Sequence, residues 1–113
     1  MKKNIAMKWI KALESGDYKQ TKHALRTDKG WCCLGVLCAV LGYKTNSISG
    51  NVHKIDGEIN AISLKVMEAA GMMSNVGHLP SQEGVALSLA TLNDTGKTFK
   101  KIAKVIRKNY REL

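Results

Sequence analysis

The densest apolar block of this chain is Trp31-Cys32-Cys33-Leu34-Gly35-Val36-Leu37-Cys38-Ala39-Val40-Leu41-Gly42, which holds all three cysteines and no charged residue. A run apolar on every face predicts an element at the centre of the domain, helical from about Cys32 to Leu41 and stopped by Gly42. Gly35 inside it costs about 1 kcal/mol relative to alanine. A glycine at such a position predicts the close approach of a second backbone.

The flanking segments are periodic. Ile5, Trp9 and Leu13 recur at i, i+4 and i+8, with Ile10 beside them and Lys3, Lys8 and Lys11 on other faces. This predicts an amphipathic helix from Asn4, as N-cap, to Ser15, ended by Gly16. Phe99, Ile102, Ala103, Ile106 and Tyr110 recur at i, i+3, i+4, i+7 and i+11, the clearest helical stripe in the chain, with Thr98 as its cap. Ser63 to Ala70 reads as a further helix, closed by Gly71. Pro80-Ser81-Gln82-Glu83-Gly84 reads as a helix start that continues through Val85, Leu87, Leu89 and Leu92, and Asn93-Asp94-Thr95-Gly96 as the turn after it.

Strand signals are short. Thr27-Asp28-Lys29-Gly30 is a turn, which allows a hairpin of Ala24–Arg26 against Trp31–Cys33. Asn46, Ser47, Ser49, Gly50, Asn51, Asp56 and Gly57 make Tyr43 to Asn60 irregular, with one short strand or a small hairpin near Val52–Asp56 and a mobile or ligand-covering loop. The expectation is a single mainly α domain over residues 1–113: four to five helices, a minor β-hairpin or short strands, and the C-terminal helix packed across the Cys32–Leu41 segment.

With 113 residues, 44% of them hydrophobic, the chain is sized for one core. Its 18 Lys and Arg exceed its 9 Asp and Glu, for a formal charge of +9, which favours an anionic partner. The longest apolar run is too short for a bilayer span, so no membrane partner is expected. Lys8 and Lys11 interrupt any leader-like pattern after Met1-Lys2-Lys3, and three cysteines cannot all pair within one chain. Reduced thiols in a cytoplasmic setting follow.

Candidate chemistry is sparse. On a helix Cys32 and Cys38 lie about 240° apart, and Cys33 and Cys38 about 140°. They do not converge on a metal, and His53 and His78 lack ligand-like spacing. Only Asp56 and Glu58 form a close acid pair, and no Ser/His/Asp set is suggested. No catalytic residue, metal or cofactor is therefore expected, and the chain reads as a non-enzyme. Gly96-Lys97-Thr98 resembles the end of a phosphate-binding loop, but the first glycine of that motif would fall on Thr91.

The charge, by contrast, is organised. Lys97, Lys100, Lys101, Lys104, Lys108 and Arg111 flank one side of the C-terminal apolar stripe, a row of the type that contacts phosphates. Lys19, Lys22, His23 and Arg26 cluster near Tyr18 and Gln20. The candidate ligand-binding set is Tyr18 for stacking, Arg26 as bidentate phosphate donor, Lys22, Lys97 and Lys101 as cations, and Asn93 in the turn before the last helix. Met72-Met73 is a candidate contact for a homo-oligomer or simply part of the core.

Three blocks carry a resemblance: Trp9 with Ala12-Leu13-Glu14-Ser15-Gly16-Asp17-Tyr18-Lys19-Gln20, Cys32-Cys33-Leu34-Gly35-Val36-Leu37-Cys38, and Leu92-Asn93-Asp94-Thr95-Gly96-Lys97-Thr98-Phe99. On these blocks the chain resembles a family of short proteins from tailed-phage and prophage genomes. The resemblance implies a phage origin and a small accessory role in an infected bacterial cell. It also implies Glu three residues after the Ser/Thr cap of the last helix, where this chain has Lys101. Lys97, Lys100 and Lys101 thus crowd a helix start whose dipole favours anions, and a bound anion would relieve that. The functional expectation is a phage-encoded protein that counters host defence by sequestering an anionic nucleotide-type ligand, such as a cyclic oligonucleotide, without catalysis. The alternative is a basic inhibitor of a host system that binds nucleic acid or protein.

Overall fold

The computed structural model describes residues 1–48, 51–82 and 84–113. Ser49 and Gly50, read above as turn formers, and Glu83, read above within a helix start, lie outside the described residues.

The periodic segments fold as helices. Helix α1 (Lys3–Glu14) buries Ala6, Trp9, Ile10 and Leu13 on one stripe. It starts before the expected Asn4 cap. Lys2 stands at the cap position, its N–H donates to the Ala70 carbonyl at 2.8 Å, and its own carbonyl accepts from Ala6. A tertiary contact thus sets the helix start, and Asn4 lies inside the first turn. Helix α2 (Cys33–Val40) is the central element, with Cys33 through Cys38 buried on all sides. Cys32 caps it, its Sγ accepting from the Gly35 N–H at 3.4 Å. Helix α3 (Leu64–Ala70) is capped by the Ser63 hydroxyl and closed by Gly71 at φ +70°. Helix α5 (Phe99–Asn109) buries Phe99, Ile102, Ala103 and Ile106, packs against α1, and is capped by Thr98 Oγ1 accepting from the Lys101 N–H.

Gly35 shows why α2 tolerates a poor helix former. A Cβ there would lie 1.9 Å from the Leu25 carbonyl oxygen. That same oxygen accepts the Cys32 N–H at 3.1 Å. The backbone at Leu25 therefore lies directly against the first turn of α2, and only hydrogen fits between them.

The expected mainly α class is overturned. Among the described residues five α-helices stand beside six strands in two sheets, so the domain is mixed α/β. Strands β1 (Arg26–Thr27), β2 (Gly30–Trp31), β3 (Thr45–Ser47) and β4 (Val52–Ile55) form an antiparallel sheet in the order β2-β1-β4-β3. The expected hairpin is present but shorter, with Arg26 opposite Trp31 and Thr27 opposite Gly30. Of the short strand or small hairpin expected near Val52–Asp56, the hairpin is present as β3–β4, and β4 also pairs with β1: His53 lies opposite Arg26 of β1 and Ser47 of β3. Two- to four-residue strands give too few alternations for a period to register, and their pairing joins distant segments.

The second correction concerns the segment after Pro80. It forms a hairpin, β5 (His78–Gln82) with β6 (Val85–Ser88), not a helix start. Gly84 has φ +77°, the left-handed conformation such a turn needs. Val85, Leu87 and Leu89 were spaced by two all along, which is strand spacing. Helix α4 (Leu89–Asp94) follows at once, capped by the Ser88 hydroxyl. Asn93 and Asp94, expected in a turn, end this helix.

Two predictions follow from the packing around α2. Gly35→Ala drives a methyl group into the Leu25 carbonyl. It should destabilise the domain by about 3 kcal/mol or more, read as the loss in a urea denaturation midpoint. The three thiols are free and buried. Burial lifts Cys32 to about 11 and Cys38 to about 12, from an ordinary value of 9.0, and raises Cys33 as well. Neutral thiols thus favour the folded state: stability is intact below pH 9.0 and falls as pH rises toward those folded values. Cys38→Ala should cost about 1–2 kcal/mol at neutral pH and lose less than the parent across the alkaline window.

Candidate functional site

The six expected ligand residues fall in three places. Asn93 is fully buried. Its Oδ1 accepts from the Cys33 N–H at 3.1 Å and from Gln20 Nε2 at 2.9 Å. Its Nδ2 donates to the Thr21 carbonyl at 2.8 Å and to Asp94 Oδ1 at 3.3 Å. Every hydrogen-bonding position of the amide is thereby used inside the protein. Asp94 Oδ1 also accepts the N–H of His23 at 2.9 Å, and Gln20 Nε2 reaches the Lys97 carbonyl at 2.7 Å. Asn93 and its neighbours clasp the 17–24 segment and the start of α2 to the end of α4. Lys22 lies beside this clasp, its Nζ 3.7 Å from where a Gly96 Cβ would stand.

Tyr18 and Arg26 lie at the sheet. The Arg26 guanidinium carbon sits 3.9 Å from the Trp31 ring centroid, and Tyr18 meets Trp31 edge-on with centroids 5.5 Å apart. Arg26 follows from the β1–β2 register, which sets it opposite Trp31. His53, opposite Arg26 on β4, is 2.6 Å from Asp28 Oδ1 through Nε2. Arg26 Nε and His53 Nδ1 are buried and find no hydrogen-bond partner among the described residues. Trp31, His53 and Asp28 were missed because strand pairing brings them together. The one available signal was Asp28 and Trp31 flanking the same turn.

Lys97 and Lys101 lie at a groove that no sequence pattern marked. One lobe, of about 200 Å³, is lined by both lysines with Leu92, Ile102 and Val105. The other, of about 330 Å³, shares Leu92 and Val105 and runs on between the β5–β6 hairpin and α5. The hairpin contributes Leu79, Pro80 and Leu87, and α5 contributes Lys104, Lys108 and Asn109. Lys101, Lys104 and Lys108 follow i, i+3, i+7 spacing, so one face of α5 carries them all. Lys97, Lys101, Lys104 and Lys108 are exposed, and none joins an ion pair among the described residues. The outcome is an apolar trough with a cationic edge. It can hold a partner with an apolar stripe and negative charge beside it.

Other chemistries find less. Among the described residues no three His, Cys, Asp or Glu side chains gather as a metal centre requires. No helix among the described residues is long and apolar enough to cross a membrane. The thiols lie inside the core, where burial holds them protonated and disfavours nucleophilic use.

The clasp yields a direct test. Asn93→Ala strands the Cys33 N–H and the Thr21 carbonyl in the interior. It should cost about 2–4 kcal/mol in urea denaturation. Asn93→Asp keeps the acceptor but loses the donor and buries charge beside Asp94, so it should not rescue.

Neither the curated proteins nor the solved structures offer a match to the chain. The family described as "Domain of unknown function (DUF8296)" matches residues 1–110, a span that takes in α1 through α5 together with both sheets, and the chain belongs to that family.

Proposed function

We propose that this chain is a phage-encoded accessory protein that counters a host system by binding an anionic partner, without catalysis, in the cytoplasm of the infected bacterium. The observation that carries the reading is the cationic edge of the α5 groove. Lys97, Lys101, Lys104 and Lys108 line it, and α5 has no acid anywhere between Phe99 and Asn109. Among the described residues, Arg107 with Glu14 at 3.0 Å is the one ion pair made by a Lys or Arg side chain. The net charge of +9 is thus largely uncompensated at the surface and attracts an anion over several ångströms. The resemblance to phage proteins supplies the setting.

An extended partner suits this edge better than a small one. A nucleotide needs its cations and stacking group around one pocket. Here Tyr18 and Arg26 are at the sheet, whereas Lys97 and Lys101 are at the groove. Sequestration of a nucleotide-type ligand stands as the second reading. The Tyr18–Trp31–Arg26 stack favours it, because it combines aromatic surface with a guanidinium.

Calorimetry at two salt concentrations separates the two. On the extended reading, polyglutamate and duplex DNA bind, and log affinity for the duplex falls by about 0.9 per log salt for each phosphate neutralised. The double variant Lys104→Glu/Lys108→Glu should weaken both about tenfold or more. On the nucleotide reading, a cyclic dinucleotide binds saturably and Arg26→Ala abolishes it. No heat from any of these probes would defeat both. Lys101→Glu completes a capping box on Thr98. It should raise the unfolding free energy by a few tenths of a kcal/mol, measured by urea denaturation, while weakening polyanion binding.

A further inference from the structure

We propose that the trough between α5, α4 and the β5–β6 hairpin receives an acidic amphipathic helix of a partner protein. The inference rests on the anionic-partner reading of α5 and adds what lies between the charges. The trough presents two surfaces side by side. Leu92, Val105, Leu79 and Leu87 form an apolar floor and far wall. Lys101, Lys104 and Lys108 form the near edge, their aliphatic stems continuing the apolar surface up to the ammonium groups.

The dimensions suit a helix. The 11 residues of α5 extend about 16 Å, three turns of helix. A helix laid along α5 repeats at the same rise. Carboxylates spaced i, i+3, i+7 on its flank therefore meet the lysines in register. Apolar residues on the adjoining stripe enter the floor.

Other occupants leave part of the trough unused. A phosphate backbone matches the lysines but brings nothing apolar to Leu79, Leu87, Leu92 and Val105. A bilayer surface is flat and does not enter a concavity. A second copy of the chain carries the same net charge of +9.

Lys101 adds a separate argument. It occupies the third position of α5, where its charge opposes the helix dipole and where a capping box would place an acid. The free protein is less stable for it. A partner carboxylate docked beside it removes that conflict. Local rules broken in this way concentrate where a surface is used.

Fluorescence anisotropy tests the proposal with three probes. The first is a labelled helical peptide of about 16 residues, with leucines on one stripe and glutamates on its flank. The second is a scrambled peptide of identical composition, and the third a DNA duplex of similar length. The segregated peptide should bind about tenfold or more tighter than the scrambled one. Val105→Thr, close in shape but polar, should weaken the segregated peptide several-fold and leave the duplex unchanged. Lys104→Glu/Lys108→Glu should weaken both. On the unsubstituted protein, amide chemical shifts should move most at Leu79, Leu87, Leu92 and Val105. Equal binding of the two peptides, or shifts confined to the lysines, overturns the helix partner and leaves the polyanion reading of α5 standing. Indifference of every probe to the double glutamate variant overturns both.

Discussion

The side-chain amide of Asn93 is the interaction on which the rest of this structure depends. It meets the first turn of α2, where the backbone has N–H groups that no helical carbonyl can satisfy. Its Oδ1 takes the Cys33 N–H, and its Nδ2 holds the Thr21 carbonyl. From the other side, Trp9 Nε1 donates to the Cys33 carbonyl at 2.8 Å, and the Leu25 carbonyl takes the Cys32 N–H. Helix α1, the 17–24 segment, the entry to the first sheet and α4 thus converge on two residues. The bonds to Cys33 lie in the core, where an unsatisfied amide costs far more than at the surface. Apolar burial supplies most of the driving force. The amide network decides which single arrangement of the elements satisfies it.

That network also sets the geometry of the groove. Asn93 is near the end of α4, and Gln20 bridges it to the Lys97 carbonyl. The distance between α4 and α5 is therefore held by these polar contacts as well as by packing. Leu92, immediately before Asn93, faces the trough while Asn93 faces the core. One short helix serves both, anchoring the fold on one side and flooring the trough on the other. Such a support would lower the entropy cost of the proposed recognition, because the cationic edge is already assembled.

The helical part of the fold was legible in the sequence because it is periodic. Trp9, Ile10 and Leu13 announced the buried stripe of α1, and Phe99, Ile102, Ala103 and Ile106 that of α5. Thr98 and Ser63 are the caps that local chemistry favours, and Gly35 marks a backbone contact of the kind expected of it. The strands were not legible in the same way. Val85 and Leu87 belong to a hairpin, yet a helical pattern with Leu89 and Leu92 accommodated them equally well. Periodicity over so few residues does not distinguish the two, and Gly84 in the left-handed region settles the matter only once the chain turns back on itself. The candidate site was read in parts. Lys97 and Lys101 were named for charge and do reach the groove, whereas the apolar residues beside them carry no signature separate from the core.

By itself, then, the sequence determined the central apolar element, the amphipathic faces of the flanking helices, several of their caps and the sign of the surface charge. Each of these depends on residues within about two turns of one another, where spacing alone dictates geometry. The tertiary structure alone decided that β1, β4 and their neighbours form one sheet, that Asn93 is a buried clasp, and that Leu79, Leu92 and Val105 share a trough. Those residues are far apart along the chain. Their meeting follows from how the whole core closes, and no local pattern encodes that closure.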